Sequence, residues 1–162
     1  MDAGPARIVL DTNAVLDWLL FGGVAARLKG ALASGRLLPV VNAESLAEFD
    51  SVLLYPKLKV PRARAAELSA QYRAHAEIFI APLSGEPADA VARLPQCRDP
   101  DDQKFLALAV AARAEFLVSR DREVLRLARR MGREWGITLL TPAAIAVHPR
   151  LGGPVRRPAL SL

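Results

Sequence analysis

Five short apolar runs, each separated from the next by a stretch with helical periodicity, constrain the fold of this chain more than any other feature. Such runs are typical of buried strands when turn residues or polar residues bound them. Because strands and helices alternate along the sequence, the pattern predicts an α/β domain of three layers, α/β/α, with a mostly parallel five-stranded sheet. The predicted strands are residues 7–10, 37–41, 77–81, 116–119 and 137–140. The predicted helices are residues 14–20, 24–34, 43–54, 62–75, 88–94, 99–114, 122–131 and 142–147.

The length of 162 residues fits one domain that buries roughly two thirds of the surface exposed by the unfolded chain. We assign residues 1–147 to this domain and residues 148–162, with three prolines and three arginines, to a basic C-terminal tail. No apolar run is long enough to span a bilayer. No basic segment followed by an apolar one opens the sequence. We therefore expect a soluble cytoplasmic protein with no membrane partner.

The composition narrows the function classes. Lysine and arginine number 22 against 17 acidic residues, which gives a net charge of +5 and favours an anionic partner such as nucleic acid. Cys97 is the only cysteine, so an intrachain disulfide and a zinc cluster built from cysteines are excluded. The two histidines lie in unrelated contexts and give little basis for a Ser-His-Asp or Cys-His site.

Acidic residues follow two of the predicted strands. Asp11 comes directly after the first strand, and Asp121 follows the fourth. Because the carboxyl ends of parallel strands meet at one edge of the sheet, where ligands bind in such folds, we expect the two side chains to lie near each other. Each aspartate taken alone is also explained as the N-cap of the helix that follows it.

A third group of acids begins the predicted helix 99–114. Asp99, Asp101 and Asp102 surround a proline there, and Asp102 shares its helix face with residues that should pack on the sheet. Three acids gathered at one sheet edge repel one another unless a divalent cation neutralises them. The sequence therefore predicts a Mg²⁺ or Mn²⁺ site. Glu44 and Glu48 lie one turn apart on another helix, where periodicity alone predicts a solvated face.

Four segments, taken in order, resemble those of PIN-domain ribonucleases, most closely the branch of toxins from toxin-antitoxin systems. The segments are IVLDTN at 8–13, ESLAEF at 44–49, CRDPDDQKFLALA at 97–109 and LVSRD at 117–121. The resemblance extends over about residues 7–147. It implies a parallel sheet flanked by helices and a metal-dependent hydrolase of single-stranded RNA. It also implies an antitoxin partner that covers the acidic pocket, and homodimers are frequent in this family.

The resemblance also implies roles for individual residues. The catalytic acids would be Asp11, Glu48, Asp102 and Asp121, with Asp11, Asp102 and Asp121 as metal ligands and Glu48 binding a second ion or orienting water. Asn13 would brace the first loop, and Ser119 would form a hydrogen bond near the site. Asp99 would support the site, and the choice of third ligand among Asp99, Asp101 and Asp102 stays open. Arg120 stands where relatives commonly have glycine.

Arginines recur at helical spacing directly after Asp121. The stripe consists of Arg122, Arg126, Arg129 and Arg133, with Leu125, Ala128 and Met131 predicted to face inward. Together with Arg120, the residues Arg122, Arg126 and Arg129 are candidates for contact with RNA phosphates. An ordinary solvated face or a dock for an acidic partner explains the same spacing.

Three other functions compete with that of a ribonuclease. A receiver domain needs a lysine at the end of its last strand, and Leu140-Thr141-Pro142 contains none. A phosphatase of the haloacid dehalogenase type needs a second aspartate two residues after the first, where Asn13 stands. A PIN-like domain that binds RNA or protein without cutting it stays open, since all of its acids would be present.

Overall fold

The five predicted strands all form, and they join in one parallel sheet. The coordinates come from a computed structural model that describes residues 4–21, 25–81 and 85–151. The strands are β1 (Ala6–Leu10), β2 (Leu37–Val41), β3 (Glu77–Ile78), β4 (Phe116–Val118) and β5 (Thr138–Leu140). Their order across the sheet is β3-β2-β1-β4-β5, and every neighbouring pair is parallel. In the register of the central strand, Ile8 lies opposite Pro39 on one side and Phe116 on the other.

Helices cover both faces of this sheet. The described residues form α1 (Thr12–Leu16), α2 (Ala25–Ala33), α3 (Ala43–Leu53), α4 (Arg62–His75), α5 (Glu86–Ala92), α6 (Gln103–Ala111), α7 (Arg122–Leu125), α8 (Ala128–Trp135) and α9 (Pro142–Ala146). Ile8 and Leu10 of β1 pack with buried residues of α1 to α4 and α9, whereas Val9 packs with those of α6 to α8. Because β1 is buried on both faces, it reads in the sequence as a continuous apolar run rather than an alternating one. The predicted three-layer architecture is confirmed.

Several predicted boundaries are wrong for local reasons. The helix predicted at 14–20 becomes a π-helical turn at Asp17–Phe21, and the helix predicted at 99–114 begins as a 3₁₀ turn at Pro100–Asp102. The helix predicted at 122–131 divides into α7 and α8. β3 is shorter than predicted, although the Phe79 N–H still donates to the Val41 carbonyl at 2.8 Å. Periodicity reports which residues face the core, and it does not report where the chain changes direction.

Part of the predicted tail packs against the domain. Residues 149–151 form a 3₁₀ turn in which Leu151 is buried, and the His148 ring lies 4.9 Å from the ring of Phe116. Residues 152–162 of the predicted tail lie outside the described residues, as does Val24, the first residue of the helix predicted at 24–34. In the described part of the chain, no helix combines the length and apolar character needed to cross a membrane.

Candidate functional site

The carboxyl edge of the sheet brings together acids from three separate parts of the chain. Asp11 follows the central strand β1, and Asp121 lies three residues after the end of its neighbour β4. Asp99 caps, and Asp102 ends, the 3₁₀ turn that leads into α6. Asp11 and Asp121 thus follow neighbouring parallel strands at one edge of the sheet, and the 3₁₀ turn adds Asp99 and Asp102 to that edge.

Asp99, Asp102 and Asp121 form the tightest group, named the acidic cluster below. One carboxylate oxygen from each lies within 4.8 Å of those from the other two, a spacing that one cation can bridge. Asp102 and Asp121 are predicted metal ligands, and Asp99 is predicted as a supporting residue and as an alternative third ligand. Asp101, the remaining candidate, is exposed and does not belong to the cluster.

Backbone groups hold two members of the acidic cluster in place. The Asp99 carboxylate accepts a hydrogen bond from the Asp101 N–H at 3.0 Å, which caps the 3₁₀ turn. Asp121 caps α7 by accepting from the Glu123 N–H at 2.7 Å, and its own N–H donates to the Ser119 hydroxyl at 3.0 Å. The capping interpretation and the functional interpretation of Asp121 are therefore compatible, because capping orients the carboxylate that the cluster uses.

Asp102 is the least satisfied acid of the cluster. Its Oδ2 atom is buried and has no hydrogen-bond partner among the described residues. Burial, the hydrogen bond to Asp121 and the charges of the neighbouring aspartates raise the pKa of Asp102 to about 7. A buried carboxylate oxygen without a donor, surrounded by other carboxylates, matches the oxygen-ligand chemistry of Mg²⁺ and Mn²⁺. The residues present therefore fit a divalent ion.

Asp11 lies beside the acidic cluster but outside its shortest contacts. Its side chain is buried, with the residue only 5% exposed, and it caps α1 by accepting from the Ala14 N–H at 2.8 Å. Burial raises the pKa of Asp11, and the charge of Asp121 raises this pKa further, whereas a hydrogen bond from Ser119 lowers it. The charge of Asp121 acts on Asp11 because the two residues follow the neighbouring strands β1 and β4. The role of Asp11 as a metal ligand stays a prediction.

Glu48 faces the site rather than solvent. One of its oxygens accepts a hydrogen bond from the Thr12 hydroxyl, and the other lies 2.8 Å from the Lys104 ammonium. The solvated face predicted from periodicity is thus wrong for Glu48, whereas Glu44 on the same helix is exposed. Glu48 therefore lines the same cleft as Asp11 and Asp102, and its catalytic role stays a prediction.

A cleft of about 350 Å³ adjoins three of the acids described above. Its acidic wall includes Asp11, Glu48 and Asp102, together with the exposed Asn13. The lining also contains Tyr55 and Lys57, which were not predicted as site residues; the remaining lining residues are Thr12, Leu16, Val52, Leu58 and Phe105. The sequence signal for Tyr55 and Lys57 was the basic segment Lys57-Leu58-Lys59 between two prolines, but periodicity does not connect it to the acids.

The arginines after β4 are less uniform than their spacing indicates. Arg120 lies 2.8 Å from the buried carboxylate of Asp17, so an acid of the same chain engages its guanidinium. The stripe spans the break between α7 and α8, and Arg126 lies 3.7 Å from Glu123. The inward side is confirmed, because Met131 is buried; Leu125 and Ala128 are half-buried, and Arg122, Arg126, Arg129 and Arg133 are exposed.

Comparison with known proteins gives one family. The family model described as the PIN domain matches residues 7–123, which is more than half of the chain. The matched segment begins in β1 and ends in α7, so it contains Asp11, Glu48 and the whole acidic cluster. A search of the curated proteins finds no match.

Proposed function

Since the chain belongs to the PIN domain family, whose members are generally nucleases, we propose that it is a Mg²⁺- or Mn²⁺-dependent endoribonuclease that hydrolyses phosphodiester bonds of single-stranded RNA. The observation that carries this proposal is the acidic cluster. Its three carboxylates lie within bridging distance of one another, and the buried Oδ2 of Asp102 has no donor within the described residues.

The residues at the site would have different roles. Asp99, Asp102 and Asp121 would hold the ion, and the proton of Asp102 must leave before its carboxylate can bind. Ser119 joins the two central strands at this edge, because its hydroxyl donates to Asp11 and accepts from the Asp121 N–H. Asp11 would orient groups on the side of the cleft next to β1. When bound, the ion supplies Lewis-acid polarisation of a phosphate and a lowered pKa for water.

Two residues of the cleft lining, Tyr55 and Lys57, support a single-stranded substrate. Tyr55 is 56% exposed, and Lys57 is exposed as well. Unpaired bases stack on aromatic rings, whereas bases within a duplex do not present their faces. A lysine beside such a ring attracts backbone phosphates without reading sequence. The proposed path runs over Tyr55 and Lys57 and places a phosphodiester above the acids.

We propose further that the protein is the toxin of a toxin-antitoxin pair. The support is the ordered resemblance of four segments to that branch of the family. Induced expression should arrest growth, and a small reading frame found next to the gene should, when co-expressed, relieve the arrest and yield a complex with the protein. Growth unaffected by induction of the active protein would argue for RNA maturation instead.

Cleavage of defined RNAs tests the enzymatic proposal directly. We expect the purified protein to cut single-stranded RNA with Mn²⁺ or Mg²⁺ and to stop when a chelator is added. Asp102→Asn should be inactive, and Asp101→Asn, which changes the exposed neighbour outside the cluster, should remain active. Hydrolysis by water leaves no 2′,3′-cyclic phosphate, so the end groups distinguish this activity from a contaminating metal-independent ribonuclease. Absence of metal-dependent cleavage on a range of RNAs would favour a binding role.

A further inference from the structure

Glu48 is already satisfied by donors from its own chain. The Thr12 hydroxyl donates to one carboxylate oxygen, and the Lys104 ammonium lies 2.8 Å from the other. This differs from the acidic cluster, where Asp102 retains a buried oxygen with no donor among the described residues. Two acids that line one cleft therefore differ in their partners. Asp102 keeps a carboxylate oxygen available to a cation, whereas both oxygens of Glu48 already have a donor.

Lys104 is not an ordinary surface lysine. Its side chain is only 14% exposed, and its ammonium also donates to the Asp101 carbonyl at 2.7 Å. The same ammonium lies 5.3 Å from the centre of the Phe105 ring. A lysine gains little from a single exposed ion pair, because side-chain entropy opposes it. Three simultaneous contacts hold this charge at one place, beside Glu48 and two residues after Asp102.

A second divalent ion at Glu48 would meet this ammonium. Because like charges a few ångströms apart repel strongly where water is partly excluded, the ion could bind there only after Lys104 had moved away. Lys104 would then leave the Asp101 carbonyl as well. The arrangement around Glu48 thus opposes a second ion, whereas the arrangement around Asp102 favours a first.

We propose that Lys104 takes the place of a second divalent cation, so that the site binds a single ion at the acidic cluster while the ammonium supplies the positive charge beside Glu48. This inference rests on the proposed metal-dependent nuclease. It assigns Lys104, which neither periodicity nor the family resemblance singled out, as a positioning residue that fixes Glu48 and sets the number of ions.

Titration with Mn²⁺, followed by calorimetry and by the electron paramagnetic resonance of free Mn²⁺, measures the number of ions directly. We expect one ion in the wild type and two in Lys104→Met, which keeps an unbranched apolar side chain one atom shorter and removes the charge. Lys104→Met combined with Glu48→Gln should return to one, because the second ion needs the freed carboxylate. Lys29→Met, an exposed lysine in α2, is the matched control and should bind one.

Cleavage rates add a signature that a merely structural lysine would not give. At limiting Mn²⁺, Lys104→Met should lose about 10- to 100-fold in rate and recover much of it at high Mn²⁺, whereas Lys104→Arg should stay within a few-fold of the wild type. Two ions in the wild type, or one ion in folded Lys104→Met, would overturn the inference. If Lys104→Met does not fold, the wild-type count and Lys104→Arg, also expected to bind one ion, decide the matter.

The two proposals fail in different ways. A wild type that binds one Mn²⁺ and gains a second on loss of Lys104, yet cuts no RNA, would keep the assignment of Lys104 and overturn the nuclease. A wild type that cuts RNA with two ions bound would keep the nuclease and overturn the assignment.

Discussion

Acids at the two edges of the sheet differ in whether they form ion pairs. At the amino edge, Glu115 precedes β4 and forms an ion pair with Arg150 at 3.1 Å, and Glu77 at the start of β3 pairs with Arg7. At the carboxyl edge, no member of the acidic cluster forms an ion pair with any residue that the structure describes. At the amino edge arginines pair with the acids, whereas the three acids of the cluster lie beside one another without a cationic side chain from the described residues.

This difference distinguishes acids whose charge is balanced by an arginine of the chain from acids whose charge a bound cation would neutralise. An ion pair at the amino edge needs nothing from outside the molecule, although partly exposed pairs of this kind contribute little to stability. Carboxylates packed together instead repel, and the folded state accommodates them by retaining a proton, as the raised pKa of Asp102 indicates. Among the described residues no cationic side chain pairs with the acidic cluster, so the cluster is complementary to a metal ion.

The largest effect expected outside the acidic cluster comes from Asp11→Asn. Asparagine caps a helix as well as aspartate does, so the bond from the Ala14 N–H and the fold should survive while the charge next to the acidic cluster is lost. We expect RNA cleavage to fall by at least about 100-fold. Glu115→Gln, which removes an acid from the amino edge, should keep cleavage within about two-fold of the wild type. Undiminished cleavage by folded Asp11→Asn would remove Asp11 from the site.

The pH dependence of stability should sharpen the contrast between the edges. The folded protein holds a proton on Asp102 up to a pH of about 7, whereas the unfolded chain releases it near 3.8, the ordinary pKa of an aspartate. Because the native state binds more protons between these values, the free energy of unfolding of the metal-free protein falls as pH rises from 4 to 7. Burial raises the pKa of Asp11 in the same direction. Scanning calorimetry should show a melting temperature lower at pH 8 than at pH 5.

Metal and mutation provide the controls for that measurement. Mn²⁺ should raise the melting temperature more at pH 8 than at pH 5, since binding to the native state stabilises it and requires the deprotonated carboxylates. Asp102→Asn should flatten the pH dependence and raise the melting temperature of the metal-free protein at pH 8. A melting temperature that rises steadily from pH 5 to pH 8 in the absence of metal would contradict the repulsion described here.

A smaller effect, on RNA binding, is expected from changing Tyr55 in the cleft lining. Tyr55→Ala should weaken binding of single-stranded RNA by about 5- to 100-fold, because stacking of one base on an aromatic ring contributes about 1–3 kcal/mol. Tyr55→Phe keeps the ring and should bind almost as the wild type does. Ile80→Ala changes another exposed apolar residue, which is 85% exposed and does not line the cleft, and it should have no effect. Fluorescence anisotropy with a labelled RNA measures all three, and equal affinities would exclude Tyr55 from the path of the substrate.

The sheet and the convergence of acids at its carboxyl edge were predictable for a physical reason. The buried strand β1 must read as an apolar run, and parallel strands necessarily place the residues that follow them at one edge. The participation of Asp99 rather than Asp101 was not predictable, because it depends on the 3₁₀ turn at Pro100–Asp102. The same holds for the division between α7 and α8, since periodicity continues across it.

Contacts between segments far apart in the sequence could not be predicted either. Glu48 and Lys104 lie on helices far apart in the sequence, and only the packing of α3 near the start of α6 brings them together. Tyr55 lies in a connector whose path no pattern determines. A family resemblance recovered Glu48 because it carries over position by position, and it missed Lys104 and Tyr55 because they stand outside the four acids that it transfers.

The smallest expected effect concerns the arginines after β4, where paired and unpaired charges again lie side by side. Arg129 is exposed and forms no ion pair within the described residues, Arg126 lies 3.7 Å from Glu123, and Arg130 is bound to Glu134 at 3.1 Å. Each arginine that contacts a phosphate of a single strand adds about 0.7 to the slope of log affinity against log salt concentration. Arg129→Ala should therefore reduce this slope more than Arg126→Ala, and Arg130→Ala, the control on the same helix, should leave it unchanged. If the double variant of Arg126 and Arg129 keeps the wild-type slope, the stripe is a solvated face, and RNA is then held by the cleft alone.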